Sequence, residues 1–221
     1  MTTETTALKG ERIAGIVAII LAAGLSTRMA PQNKLLLEFG SEPLIRRIAR
    51  QTLASKAMRV FVVLGHDRWN VRKVISDLPV TLVENPDYTE SQMTSVRAGV
   101  LAAPEADGYL IIPGDMPLLA TADFDRLIEQ FQELKGEKAV VPYDSIERGN
   151  PIVIPGWSRE EMYRRGINFG CRNLLINYPE LVAPLQTSDA QFFTDCDTME
   201  AYRDLLVQFE QRNGLTARAA G

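Results

Sequence analysis

Apolar runs alternate with amphipathic segments along most of the chain. Runs rich in β-branched residues predict buried strands at GIVAIIL (15–21), MRVFVVLG (58–65), VTLVENP (80–86), GYLIIPGD (108–115), KAVVPY (138–143) and NPIVIP (150–155). Hydrophobic residues at helical spacing predict helices over 42–55, 67–78, 91–103, 121–135, 171–179 and 197–212. This alternation predicts an α/β fold with three αβα layers, in which a mostly parallel, Rossmann-like sheet carries helices on both faces.

Residues at three of the predicted helix starts have the chemistry that helix starts favour. Pro43 suits the first helical turn, where a backbone N–H is not needed. Ser91 is expected to cap the third helix. Asp197 or Thr198 is expected to cap the last one.

The ends of the chain differ from its middle. Polar residues at the beginning predict a flexible tail over 1–15, and a second, frayed tail is expected over 213–221. The residues between them, 16–212, show no repeat, linker or low-complexity tract, and their number suits a single domain. The apolar run from Ile13 to Leu25 is shorter than the roughly 20 residues that span a bilayer, so it predicts a buried strand rather than a targeting segment.

The composition of the chain argues against several classes of function. The 221 residues carry a formal net charge of −4, which argues against nucleic acid as the partner but leaves small anions open. Two cysteines without a C-x-x-C motif disfavour a zinc site and suggest reduced thiols in a cytoplasmic protein. His66 is the single histidine, so mechanisms that need two histidines are excluded.

The loop after the first strand has residues that suit a polyphosphate. Ala22, Ala23 and Gly24 have little or no side chain, so backbone N–H groups there can approach an anion closely. Arg28 and Lys34 add two cations. Neither a P-loop nor a dinucleotide fingerprint is present. The alternative is a simple turn with solvated cations.

Acidic residues stand at the end of one predicted strand and at the start of the last predicted helix. Asp115 ends a buried strand after a Pro-Gly turn, where a carboxylate can hold Mg²⁺ or merely cap the turn. Asp195 and Asp197 precede the last helix and supply a second acidic pair. Their alternative role is helix capping, in which Asp197 and Glu200 would form a box-like pair.

Four segments resemble motifs of the MobA-like nucleotidyltransferases, in the family's order. LAAGLSTRMAPQNKLL resembles L-A-A-G-x-S-x-R-M-G followed by K-L-L, and NPDYTESQMTSVRAGV resembles N-P…G-M-x-x-S-V. PGDMP resembles the metal-binding G-D-M-P, and FTDCDTMEAY resembles the closing D-I-D-T-P-E-D-Y. The L-A-A-G variant resembles the molybdenum cofactor cytidylyltransferases, whereas the guanylyltransferases carry L-A-G-G.

The resemblance implies a fold of the nucleotide-diphospho-sugar transferase, or GT-A-like, type. It implies transfer of CMP from CTP to molybdopterin-bound molybdenum cofactor, with release of diphosphate and with Mg²⁺ as cofactor. It further implies handover of the product to a molybdoenzyme or its chaperone. The protein is expected to be a monomer or weak homodimer that binds no nucleic acid and no membrane.

The resemblance also assigns roles to individual residues of the site. It assigns catalytic roles to Arg28, Lys34 and Asp115. It assigns Mg²⁺ binding to Asp115, with Asp197 as the second ligand and Asp195 as the alternative to Asp197. It assigns nucleotide binding to Leu21, Ala22, Ala23, Gly24, Ser26, Arg28, Lys34, Asn85 and Ser95. His66 could touch the acceptor, but a structural role for it is favoured.

This sequence departs from the family pattern in both halves. Ala30 and Gln92 replace glycines of the nucleotide-binding motifs. Asn150 replaces the histidine of G-H-P, and RRGINFGCRNLL replaces G-D-x-G-A-R-x-L-L in the acceptor-binding half. Transfer to a sugar or alditol phosphate is therefore an alternative, and guanylyl transfer is disfavoured by Ala23. A nucleotide-binding cofactor-delivery protein without catalysis is the non-enzymatic alternative.

Overall fold

The computed structural model describes residues 12–165 and 176–212. Within this part of the chain, seven strands form one sheet in the order β5-β4-β1-β6-β8-β7-β9. All neighbouring strands are parallel except β8, which runs antiparallel to both β6 and β7. The strands are β1 (Arg12–Ala22), β4 (Arg59–Leu64), β5 (Thr81–Glu84), β6 (Glu105–Pro113), β7 (Ala139–Tyr143), β8 (Ile152–Pro155) and β9 (Val182–Gln186). The predicted mostly parallel sheet is confirmed.

Helices cover both faces of the sheet and complete the three layers. Buried residues of α1, α2, α4 and α6 pack together on one face, and those of α3 and α5 pack on the other. These helices are α1 (Leu44–Leu53), α2 (Arg68–Val74), α3 (Gln92–Ala102), α4 (Thr121–Glu133), α5 (Ser158–Arg165) and α6 (Met199–Arg212). No helix in the described residues is both long enough and apolar enough to cross a bilayer.

β1 lies between β4 and β6 in the sheet, and its burial explains why the loop that follows it is held firmly. Ile20 packs into the layer of α1 and α2, whereas Ile19 packs into the layer of α3, as the two-residue period of a strand requires. Both side chains are fully buried, and each contributes roughly 1.5–3 kcal/mol of transfer free energy. The loop that follows Ala22 therefore starts from a fixed point.

Several element boundaries differ from the sequence prediction. β1 begins at Arg12 and not near residue 15, because Arg12 pairs with Glu105 and the Gly15 N–H donates to the Asp107 carboxylate at 2.7 Å. Pro43 is not in the first turn of α1. It belongs to a two-stranded hairpin formed by β2 (Glu38–Phe39) and β3 (Glu42–Pro43), and α1 begins one residue later.

Other elements lay outside the prediction altogether. The hairpin of β2 and β3 has two residues in each strand, which is too short for any period. Most residues of α5 are charged or polar, and β9 shows no fully buried position, so neither has a clear hydrophobic pattern. The helix predicted over 171–179 lies largely outside the described residues.

Candidate active site

Four segments meet at the carboxyl edge of the sheet and enclose a cavity of about 280 Å³. They are the loop after β1, the loop between β5 and α3, the end of β6 and the residues before α6. Parallel α/β sheets bind ligands at this edge. The lining consists of Leu21, Ala23, Gly24, Leu25, Ser26, Thr27, Arg28, Lys34, Leu35, Tyr88, Gln92, Ser95, Pro113, Gly114, Asp115 and Asp197.

Hydrogen bonds fix the shape of the loop after β1. Ser26 adopts a left-handed backbone conformation with φ of 52°, which is uncommon for a residue with a side chain. The Asn33 carbonyl oxygen accepts from the Leu35 N–H at 3.0 Å, and its amide donates to Asp67 at 3.3 Å. Asn33 therefore ties the turn that carries Lys34 to the start of α2. Neither Asn33 nor Asp67 was among the residues predicted for the site.

Lys34 lies at the centre of an ion cluster. Its ammonium group donates to the carboxylates of Asp115 and Asp197, the latter at 2.7 Å. Arg28 donates to the second oxygen of Asp197. The Lys34 side chain is 14% exposed and that of Asp115 is 20% exposed, so water screens this pair less than a surface pair. Residues 81 and 163 positions apart in the chain are thus joined at one point.

The ion cluster shifts the pKa values of its members. Burial alone would lower the pKa of Lys34, but the charge of Asp115 and the hydrogen bonds to both carboxylates raise it. Burial would raise the pKa of Asp197, but the hydrogen bond and charge of Lys34, with Arg28, lower it. Partial burial, followed by the charges of Asp197 and Asp115, raises the pKa of Asp195. Two cations thus face three acidic groups.

The three acidic side chains fit a divalent cation. Asp115, Asp195 and Asp197 each place one oxygen within 4.8 Å of the others, and carboxylate oxygens are the ligands that Mg²⁺ prefers. The Cys196 N–H donates to the Asp115 carbonyl at 2.8 Å, which holds the two segments together. Burial raises the pKa of the Cys196 thiol to about 11, so this thiol is protonated at neutral pH.

Asn85 and Ser95 have different positions although both were predicted to bind the nucleotide. Ser95 lines the cavity, whereas Asn85 is buried behind it. The Asn85 amide donates to the Ser95 hydroxyl oxygen at 3.0 Å, and its carbonyl oxygen accepts from the Asp87 N–H at 3.0 Å. The Ser95 hydroxyl donates to none of the described residues, so its proton can be donated to a ligand. Asn85 therefore orients Ser95.

Most of the other predicted residues line the cavity. Leu21, Ala23, Gly24, Ser26, Arg28, Lys34, Asp115 and Asp197 do so, whereas Ala22 is buried beneath the lining. Asp195 stands beside the lining, in the carboxylate cluster. Tyr88 was missed, although it lies in a loop that follows a strand. Gln92 also lines the cavity, where the family pattern has glycine.

The structure shows the outcome of three capping expectations and the position of His66. Thr198 caps α6, since its hydroxyl accepts from the Ala201 N–H at 3.1 Å. Asp197 faces the ion cluster, so the box-like pair with Glu200 was wrong. Ser91 precedes α3 but makes no side-chain capping bond. His66 is half-buried, its ring 6.4 Å from that of Tyr88, and it is not part of the cavity lining.

A match to a protein-family model identifies the family of this chain. The MobA-like NTP transferase domain matches residues 18–181, which is most of the chain and contains the loop after β1, Ser95 and Asp115. The chain belongs to the MobA-like NTP transferase family. It is therefore a nucleotidyltransferase by family, and the cation-rich loop and the carboxylates lie where its sheet ends.

Curated relatives of this MobA-like protein have several names. The molybdenum cofactor cytidylyltransferase of Escherichia coli (strain K12) is 31% identical over 144 residues, which are 64% of this chain and 71% of that protein. The nicotine blue oxidoreductase of Paenarthrobacter nicotinovorans is 27% identical over 86% of this chain and 96% of its own. The bifunctional protein GlmU of Synechococcus sp. (strain JA-2-3B'a(2-13)) is 35% identical over 53% of this chain. The match covers only 19% of that GlmU protein's length.

Solved structures share the fold of this MobA-like protein. A nucleotidyl transferase from Methanothermobacter thermautotroptrophicus superposes with a TM-score of 0.77 at 20% identity, over 90% of this chain and 99% of the other. A CMP:2-keto-3-deoxy-manno-octonic acid synthetase complexed with CTP superposes with a TM-score of 0.72 at 13% identity, over the same 90% and 99%. At these identities the likeness shows the fold, which agrees with the predicted GT-A-like class.

Proposed function

We propose that this MobA-like protein transfers CMP from CTP to molybdopterin-bound molybdenum cofactor and releases diphosphate. The observation that carries the proposal is the convergence of Arg28, Lys34, Asp115 and Asp197 on one cavity beside a small-residue loop. The similarity to the Escherichia coli cytidylyltransferase, together with Ala23 where guanylyltransferases carry glycine, favours cytidylyl transfer and this acceptor.

The cavity has the groups that a nucleoside triphosphate needs. A side-chain atom added at Gly24 would meet nothing within 4 Å, so the space beside this backbone is open to a ligand. The Ser95 hydroxyl donates no hydrogen bond to any of the described residues, and Ser95 lies in the first turn of α3, a turn without acidic residues. The positive end of a helix dipole favours a phosphate there.

The proposed reaction needs positioning and charge neutralisation more than covalent help. An oxygen of the acceptor phosphate attacks the α-phosphorus of CTP in line, and the bond from that phosphorus to the diphosphate breaks. The attacking phosphate is already ionised, so no histidine base is required. Lys34 and Arg28 stabilise charge on the departing diphosphate, and the raised pKa of Lys34 keeps it protonated at neutral pH.

Mg²⁺ is part of the proposal. Asp115 and Asp197, with Asp195 beside them, would hold it, and it would supply further neutralisation of phosphate charge. The product, a cytosine dinucleotide form of the cofactor, would pass to a molybdoenzyme or its chaperone.

The test is diphosphate release by the purified protein. Mg²⁺ and each of CTP, GTP, ATP and UTP are supplied with and without molybdopterin-bound molybdenum. We expect release only with CTP and this acceptor. Release with GTP instead would contradict the nucleotide assignment. CTP binding without release, with this acceptor or with sugar and alditol phosphates, would favour the non-catalytic delivery protein.

The Asp115→Asn variant tests the carboxylate assignment. Loss of one metal-binding charge is expected to lower turnover by roughly 10²–10³-fold, because phosphate charge is then less neutralised. Asp204→Asn makes the same change at an exposed position of α6 and serves as the control. Equal turnover of Asp115→Asn and Asp204→Asn at saturating Mg²⁺ would remove Asp115 from the metal site.

A further inference from the structure

The turn that carries Lys34 is anchored on both sides. Leu35, the next residue, is 4% exposed and packs in the hydrophobic core. Asn33, the preceding residue, is held by its side chain. The carbonyl oxygen of that side chain accepts from the Leu35 N–H at 3.0 Å, and its amide donates to the Asp67 carboxylate at 3.3 Å. The backbone of Lys34 is therefore fixed between the core and Asp67.

Asp67 offers a fixed acceptor at the start of α2. Its backbone is left-handed, with φ of 53°, and its carbonyl accepts from the N–H groups of Asn70 and Val71 at 3.1 and 3.2 Å. One carboxylate oxygen accepts from the Asn70 amide at 2.7 Å, and the other accepts from the Asn33 amide. Both oxygens are thus engaged, and the negative charge of the carboxylate strengthens both bonds.

The Asn33 side chain joins three segments of the chain. Its carbonyl oxygen also accepts from the Ser26 hydroxyl at 3.4 Å, and that hydroxyl oxygen in turn accepts from the Lys34 N–H at 3.4 Å. A reversed amide would point its oxygen at the Asp67 carboxylate and its NH₂ group at the Leu35 N–H, so only one orientation satisfies all partners. The loop after β1, the turn of Lys34 and the start of α2 are linked through this one side chain.

The position of Lys34 decides what its charge can do. Its ammonium group lies at the end of a flexible four-carbon stem, so a fixed backbone helps to confine it to the carboxylates of Asp115 and Asp197. A displacement of about 1 Å in a group that acts on the reacting atoms can lower a rate by about 10²-fold. Asn33 and Asp67 stand outside the lining of the proposed nucleotide cavity, as the described residues form it. They can therefore act on the reaction through Lys34.

We propose that Asn33 and Asp67 are positioning residues for the transfer reaction. The hydrogen bond between their side chains sets where Lys34 places its ammonium group, and α2 thereby supports the active site without touching the substrate. The expected effect on turnover rests on the proposed function. The pairing of Lys34 with Asp115 and Asp197 is independent of that function, because it involves side chains of this chain alone.

Exchange of the two side chains tests the bond between them. Asn33→Asp sets two carboxylates against each other, and we expect kcat for diphosphate release to fall about 30-fold, with less than about a threefold change in the KM for CTP. The reason for this split is that Lys34 is proposed to act on charge that develops as the diphosphate leaves. The double variant Asn33→Asp/Asp67→Asn restores a carboxylate and an amide in exchanged places, so kcat should return to within about fivefold of the wild type.

The control is Asn177→Asp, the same change at an exposed position, which should alter neither constant. Urea unfolding of each variant, with a midpoint like that of the wild type, shows that the fold is intact. A double variant no more active than Asn33→Asp would overturn the role of the bond.

Mn²⁺ binding to the nucleotide-free protein tests the position of Lys34 without turnover. Asp115 and Asp197 belong to the carboxylate cluster that fits a divalent cation, so a less firmly held Lys34 leaves them more available to the ion. Asp67→Ala should therefore bind Mn²⁺ about threefold more tightly than the wild type in electron paramagnetic resonance titrations. Loss of a negative charge would by itself weaken cation binding, so the direction of the change identifies its cause.

The two measurements separate failure of the positioning role from failure of the proposed function. Mn²⁺ affinity of Asp67→Ala equal to or below that of the wild type, or binding absent from both proteins, would overturn the positioning role. A wild type that releases no diphosphate from CTP would reject the proposed function. The comparison of Mn²⁺ affinities would then still decide the role of Asp67.

Discussion

Lys34 makes two ion pairs that a bound metal ion would have to replace. Its ammonium group donates to Asp115 and Asp197, and these carboxylates belong to the cluster that fits a divalent cation. Lys34 and a metal ion would therefore compete for the same two carboxylates. Arrival of the triphosphate offers Lys34 new anionic partners, so nucleotide and metal are expected to bind together more readily than the metal alone.

The Lys34→Met variant tests this competition. It removes the competing charge, so the nucleotide-free protein is expected to bind Mn²⁺ about tenfold more tightly than the wild type. Under the proposed function, turnover is expected to fall by roughly 10²-fold or more, because a cation that would neutralise the triphosphate is lost. Free Mn²⁺ measured by electron paramagnetic resonance reports the affinity. Weaker Mn²⁺ binding in Lys34→Met than in the wild type would contradict the competition.

For individual residues, the sequence predicts which side chains belong to the site better than it predicts the contacts between them. Asp115 was recognisable because it ends a buried strand, and Lys34 because it follows a small-residue loop. Their direct pairing was not predictable, since it depends on how segments 81 residues apart come together. The contact of Asn33 with Asp67 was missed for the same reason. Ser95 and Asn85 matched the same motif, but only the packing shows which one reaches the cavity.

At the scale of elements, Arg46 joins α1 to the end of α2. Its guanidinium donates to the Val74 carbonyl at 2.9 Å and to both oxygens of Asp77, at 2.5 and 2.8 Å. The hydrogen bonds from Arg46 lower the pKa of Asp77 to about 2. Since α2 follows Asp67, which Asn33 contacts, this bidentate pair steadies one support of the loop after β1.

The pair between Arg46 and Asp77 predicts a dependence of stability on pH. The pKa of Asp77 is lower in the folded than in the unfolded chain, so its contribution is present above about pH 4 and is lost as pH falls towards about 2. Urea unfolding of the wild type and Asp77→Asn should therefore differ at neutral pH and converge in acid. Arg46→Gln should show the same convergence. A difference that stays constant between pH 7 and pH 3 would contradict this.

Long elements with a clear period were predictable, and short or one-sided ones were not. α4 was expected over 121–135 and spans Thr121–Glu133, because five buried positions mark its face. α5 has Met162 as a buried apolar residue among mostly charged neighbours. The contacts of β2 and β3 with α1 decided the position of Pro43, and such contacts leave no periodic trace in the sequence.

At the scale of the whole molecule, α6 brings the end of the described chain back to the beginning of the site. The centroid of the Phe209 ring lies 4.7 Å from that of the Phe39 ring. The Arg47 guanidinium lies 4.5 Å from the centroid of the Phe209 ring, over its face. The Tyr202 hydroxyl donates to the Glu38 carbonyl at 2.5 Å. α6 is thus fixed on the hairpin that follows Lys34, and Asp197 just before it is held near Asp115.

Phe209→Ala tests how far this packing supports the site. Loss of the buried ring is expected to lower the free energy of unfolding by about 3 kcal/mol. Metal affinity should fall as well, because α6 no longer positions Asp197. Val207→Ala, at a half-exposed position of the same helix, should cost less than about 0.5 kcal/mol and leave metal affinity unchanged. Equal effects of the two variants, in urea unfolding and Mn²⁺ titration, would contradict this role.

The contact between Lys34 and Asp197 also has a consequence for the growing chain. The two residues are 163 positions apart, so the ribosome adds Asp197 long after the small-residue loop has emerged. Loop closure over such a distance is slow, and a partly made chain lacks two of the three carboxylates. A nascent polypeptide can form the loop after β1 early, yet Asp115, Asp195 and Asp197 come together only when its sheet and the segment before the last helix are in place.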